Sequence, residues 1–115
     1  MKNLFLFVCL ALLFGACSTL NSNTFIQPND SFLLGNNAHG KFTVRLKNLS
    51  KNQVEVYRAP IDGGTHSREI VLPNQSIKMR VERNTAFVID NKTKDTASVL
   101  LKVHGDLGLS MNYKN

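Results

Sequence analysis

The chain contains no tryptophan, three prolines and only two cysteines. Both cysteines, Cys9 and Cys17, fall at the start, so everything after Cys17 is free of thiols. That excludes a disulfide framework, a thiolate metal ligand and a Cys–His nucleophile from the body of the protein. Long hydrophobic runs are also missing. The longest, residues 4–14, is far short of the roughly 20 apolar residues that span a bilayer as a helix. His39, His66 and His104 each sit at or near a turn, with no predicted helix to set a second ligand alongside at i, i+4, so no metal site and no cofactor are expected. There is no Gly-x-Ser-x-Gly element and no glycine-rich phosphate cradle before a helix. Nor is there a block of one charge. The 14 basic and 8 acidic residues interleave with apolar ones, the pattern of solvated strand faces.

What is present begins with the leader. Lys2 supplies a positive start, residues 4–14 an uncharged apolar stretch, and Gly15-Ala16 the small residues that a signal peptidase requires. Cys17 follows at once, then a polar stretch starting Ser18-Thr19. Leu13-Phe14-Gly15-Ala16-Cys17 resembles the lipobox of bacterial lipoproteins, with Phe14 where that motif usually carries leucine. The resemblance implies that residues 1–16 are a cleaved signal peptide. It also implies that Cys17 becomes the lipidated, palmitate-bearing first residue of a chain in the bacterial cell envelope. The outer membrane is the expected location, on its periplasmic or its surface face. Each buried CH₂ contributes about 0.8 kcal/mol, so two or more acyl chains hold a protein stably. Loss of Lys2 with the leader lowers the formal charge from +6 to +5. In an exported chain this charge suits anionic envelope surfaces, and no nucleic-acid partner is expected.

Residues 17–30 are rich in Ser, Thr and Asn, with Pro28 near the end. They read as the lipidated cysteine followed by a flexible tether, with an r.m.s. span of roughly 20 Å. Residues 31–115 read as one domain in which the hydrophobic period is two. Phe42, Val44 and Leu46 alternate with Thr43, Arg45 and Lys47; Ile77, Met79 and Val81 alternate with Lys78, Arg80 and Glu82. Ala97, Val99, Leu101 and Val103 alternate in the same way, as do Leu107, Leu109 and Met111. Asn, Gly, Pro and Asp punctuate the gaps. The predicted fold class is all-β: an antiparallel β-sandwich of seven to eight short strands, with a small barrel as the alternative.

One pattern occurs twice. Residues 44–56 align without gaps to residues 87–99 as apolar-x-apolar-x-Asn-x-(Ser/Thr)-Lys-x-x-apolar-x-apolar. Asn48 and Ser50 in the first copy match Asn91 and Thr93 in the second. Each copy reads as a hairpin of strand, polar turn and strand. The pattern resembles the hairpins of immunoglobulin-like bacterial envelope modules, although the tryptophan and paired cysteines of true immunoglobulin domains are absent.

Two signals point to sites. Residues 58–68 form the longest connection and carry Arg58, His66 and Arg68 around Gly63-Gly64. Arginine forks suit carboxylates and phosphates, so this is a candidate ligand loop for an anionic glycan or lipid headgroup. Asp95-Thr96-Ala97 resembles the acceptor of a periplasmic O-glycosylation system, with Thr96 as the modified residue. The expected function is therefore a non-catalytic, membrane-anchored lipoprotein that binds an envelope partner or serves an assembly. An inhibitor of a secreted hydrolase is the alternative, although a +5 chain would repel a basic lysozyme. A polysaccharide-acting enzyme ranks below both, and no enzyme is expected.

Overall fold

The computed structural model describes residues 19–115, so the leader and Cys17 lie outside the described residues. Among the described residues nine strands form: β1 (Thr19–Ile26), β2 (Asp30–Leu34), β3 (Phe42–Asn48), β4 (Val54–Pro60), β5 (Glu69–Val71), β6 (Ser76–Val81), β7 (Thr85–Asn91), β8 (Ala97–Gly105) and β9 (Met111–Tyr113). They build two antiparallel sheets, ordered β1-β8-β3-β6 and β5-β4-β7-β2-β9. The sheets face each other as a sandwich and, among the described residues, close into no barrel.

Alternation decides which side chains meet between the sheets. In β3, Phe42, Val44 and Leu46 are buried while Arg45 and Lys47 are exposed. β8 repeats the arrangement with Ala97, Val99, Leu101 and Val103. From the other sheet come Phe32, Leu34, Val54, Val56, Val71, Phe87 and Ile89. All seven residues of β7 are buried, as its central place in the five-stranded sheet requires. Full burial of a Leu, Val or Phe side chain stabilises by about 1.5–3 kcal/mol, so this apolar layer holds the two sheets together without a disulfide.

The structure corrects the flexible tether. Thr19–Ile26 is an edge strand, paired with β8 over its whole length from Thr19 opposite His104 to Ile26 opposite Ala97. Ile26 is fully buried in the core. The physical reason is the free edge that β8 would otherwise present. Backbone N–H and C=O groups on that edge need partners, and polar side chains on the outer face do not prevent pairing. Near the C-terminus the strand is confined to Met111–Tyr113, later than the alternation of Leu107 and Leu109 suggested. Leu107 and Leu109 still pack against the core from an irregular segment.

The repeated pattern is not a pair of hairpins. β3 lies in one sheet and β4 in the other, and β7 and β8 are split in the same way. Each copy is an arch that carries the chain across the sandwich. β3 pairs with β8, and β4 with β7, so the two arches interlock and exchange places between the sheets. Local sequence cannot separate a hairpin from an arch, because both need the same polar turn between apolar strands.

Candidate functional site

The predicted ligand loop does not act as one cationic cradle. Arg58 sits near the end of β4 and its guanidinium donates to the Arg80 carbonyl oxygen at 3.2 Å. The His66 backbone N–H donates to the Arg58 carbonyl at 2.8 Å, while the His66 side chain is exposed. Arg68 turns the other way, over the outer face of the five-stranded sheet. It donates to Asp90, lies 4.0 Å from Glu55 and stacks 4.1 Å above the Tyr57 ring. The hydrogen bond to Asp90 pushes its pKa above the ordinary arginine value; partial burial opposes this, and the charges of Asp90, Tyr57 and Glu55 add to it. Lys92 pairs with Glu55 at 3.1 Å on the same face. Arg68 is thus neutralised locally, and residues 61–68 remain exposed without a converging charge.

Thr96 is exposed in the turn between β7 and β8, where an acceptor hydroxyl is reachable. The three histidines are far less alike than their turn positions suggested. His66 and His104 are exposed, and His104 meets the Thr19 hydroxyl at 3.1 Å. His39 is half-buried and acts as a strut: its ring nitrogens meet the carbonyl oxygens of Gly40 at 2.6 Å and Thr85 at 2.8 Å. Among the described residues, no three His, Cys, Asp or Glu side chains come together in a way that could hold a metal.

Pairing assembles a basic face from charges that, along the chain, alternate as ordinary solvated positions. On the outer side of the four-stranded sheet, register places Lys78, Arg45, Lys102 and Asn21 in one row across the strands. The next row holds Ser76, Lys47, Leu100 and Asn23; on the other side lie Arg80, Thr43, His104 and Thr19. Directly opposed side chains project on the same face, with Cβ atoms about 4.5–5.5 Å apart. Three cations therefore stand side by side, an arrangement that destabilises a sheet unless an anion relieves it. The strands β1, β3, β6 and β8 contain no acidic residue. Among the described residues, none of Arg45, Lys47, Lys78, Arg80 and Lys102 has a carboxylate within ion-pair distance. A shallow groove of about 690 Å³ crosses this face between Asn21, Asn23, Arg45, Lys47, Lys78 and Lys102. The signal was present in the sequence as outward positions that are always basic or neutral, but only strand pairing brings them together.

No family model and no curated protein matches the chain. Solved structures share its fold at low identity. A structure of PirA superposes with a TM-score of 0.58 at 11% identity, covering 73% of this chain and 93% of PirA. RmlC from Streptococcus suis, solved with dTDP-D-xylose, gives 0.53 at 12% identity over 80% of this chain and 46% of its own. A sugar phosphate isomerase of the cupin superfamily from Silicibacter pomeroyi gives 0.51 at 8% identity, over 84% of this chain and 68% of its own. At these identities the likeness is one of fold. It nevertheless corrects the expectation that the chain is not an enzyme: that isomerase and an oxalate decarboxylase of Bacillus subtilis are enzymes built on this type of sandwich. Thiol-free composition and missing sequence motifs do not set this fold apart from catalytic proteins, whose reacting groups are gathered from separate strands.

Proposed function

We propose that the chain is a lipoprotein of the bacterial cell envelope, anchored by lipid on Cys17, whose sandwich serves as a binding or assembly module at the membrane. The outer membrane is its place, and an envelope component of negative charge is its partner. The single observation that carries this reading is the Leu13-Phe14-Gly15-Ala16-Cys17 motif directly ahead of the folded domain. The unpaired basic face of the four-stranded sheet supports the choice of an anionic partner.

The experiment is mass analysis of the chain isolated from its native membranes, beside a Cys17→Ala variant. The expected result is a mature chain starting at residue 17 with acyl groups on the cysteine. The variant is expected to lose the modification. An unmodified chain, or one that starts elsewhere, would overturn the anchor.

A further inference from the structure

We propose that the outer face of the sheet β1-β8-β3-β6 lies flat on an anionic phospholipid surface, with the lipid anchor leaving from one corner of that face. The orientation rests on the Cys17 reading above; the affinity of the face for anionic lipid does not. The first link is the position of β1. Its first residue, Thr19, stands opposite His104, in the row that also holds Arg80 and Thr43. Cys17 precedes it by two positions, and two residues reach about 7 Å at most. An acylated Cys17 therefore holds this corner of the sandwich against the headgroups. Had residues 17–30 been a free tether, the domain would be held in no particular orientation.

The second link is charge. Strands are about 4.8 Å apart, so β6, at the far edge of a four-stranded sheet, is only about 14 Å from β1. Once the corner is fixed, a small tilt brings Arg45, Lys47, Lys78, Arg80 and Lys102 within about one Debye length of the surface. The opposite sheet is unsuited to that contact, because its strands carry Asp30, Glu55, Glu69 and Asp90. The third link is apolar. Leu100 and Phe25 project from the basic face and are 41% and 54% exposed, so they reach the headgroup layer with the cations.

The test uses the chain from residue 17 onward with Cys17→Ser, so that no lipid contributes. The nine described strands and the core they build lie within this part. Sedimentation is measured with vesicles of phosphatidylcholine alone and with phosphatidylglycerol added. Binding is expected only to the anionic vesicles and is expected to weaken as salt rises. Each cation near such a surface is worth about fivefold in affinity, so the triple variant Arg45→Gln, Lys78→Gln, Lys102→Gln is expected to lose roughly a hundredfold. Its thermal midpoint is expected to hold or rise, since opposed like charges are removed. A polarity-sensitive fluorophore attached through Leu100→Cys is expected to shift to the blue on vesicle binding. The same fluorophore attached through Ile70→Cys, on the other sheet, is expected to stay unchanged.

Equal binding by the triple variant, no binding to anionic vesicles, or equal shifts at both probes would overturn the proposal. So would binding to soluble polygalacturonate without binding to vesicles, which would make the face a glycan site. Failure here leaves the Cys17 modification intact, and an unmodified Cys17 leaves this vesicle binding intact.

Discussion

Asn48 and Asn91 do the same work at equivalent points of the two arches. Each side-chain amide nitrogen donates to the carbonyl four residues on, Asn52 at 2.9 Å and Asp95 at 2.8 Å. Each side-chain oxygen accepts the backbone N–H two residues on, from Ser50 at 2.8 Å and Thr93 at 3.0 Å. Asn91 also donates to the Ile26 carbonyl at 2.9 Å, and Asn48 to the Val71 carbonyl at 3.0 Å. Both side chains are buried, so truncation strands several backbone groups away from water. Asn48→Ala and Asn91→Ala are each expected to lower unfolding free energy by about 2–4 kcal/mol, read from urea midpoints. Asp106 is a second residue with a readable role. Its carboxylate accepts N–H groups from Gly40 and Gly108, and these hold its pKa below the ordinary carboxylate range. Slight burial opposes the shift, and His39 adds a small pull in the same direction as the hydrogen bonds. A carboxyl with a lowered folded pKa stabilises above the ordinary carboxylate range, and that stabilisation is lost as pH falls through the folded value. Melting curves from neutral to acid pH should therefore show wild type ahead of Asp106→Asn at neutrality, with the gap closing in acid. A gap that stays constant with pH would rule out titration of this carboxylate.

At the scale of elements, β1 is the strand with the largest consequence. It covers the edge of β8 and brings Ile26 and Thr24 into buried positions. A tether would be indifferent to the loss of one apolar side chain. A core strand would not: Ile26→Ala is expected to cost about 2–5 kcal/mol. Hydrogen exchange should agree, with slowed exchange for the β1 amides that bond to β8. Fast exchange throughout residues 19–26 would return this segment to a tether and remove the fixed corner from which the anchor leaves. The arches explain why β1 was hidden. Alternation is plain in β3, β6 and β8, where buried positions are Val, Leu, Met, Phe or Ala and outer positions are mostly basic or polar, Leu100 apart. In β1 the outer positions are Thr19, Asn21, Asn23 and Phe25, and the inner positions include Ser22 and Thr24. That composition reads as loop, and its strand state comes from a partner 71 to 85 positions away along the chain.

At the scale of the molecule, the two sheets differ in charge. The strands of the four-stranded sheet hold Arg45, Lys47, Lys78, Arg80 and Lys102 with no acid; those of the five-stranded sheet hold four acids and Arg58. A uniform +5 would give the same electrostatics from every side, but a segregated one gives a face. Two variants with the same net charge can tell these apart. Arg45→Gln, Lys78→Gln, Lys102→Gln is expected to elute from a cation exchanger at clearly lower salt than Lys51→Gln, Lys94→Gln, Lys114→Gln. Equal elution would mean that the rows across β6, β3 and β8 do not act as a unit. The predicted loop shows the reverse case. Arg58, His66 and Arg68 are close in sequence, yet Arg58 bonds to β6 and Arg68 to Asp90 in β7. Proximity along the chain suggested a site there, and competition from carboxylates on neighbouring strands took Arg68 away.

Alternation and composition alone specify an all-β, antiparallel domain in which no disulfide can form after Cys17. Side chains in a strand alternate between faces, and no thiol remains after Cys17. Local sequence also sets the polar turns at Asn48 and Asn91, because a short amide side chain bonds to its own local backbone. Which strands are neighbours is settled at the level of the folded sandwich. Pairing is non-local, so the same polar turn closes a hairpin or crosses a sandwich, and the same lone lysine is an ordinary surface charge or one of three in a row. The edge strand β1, the interlocked arches and the basic face all belong to that second level, where backbone pairing rather than local composition sets the outcome.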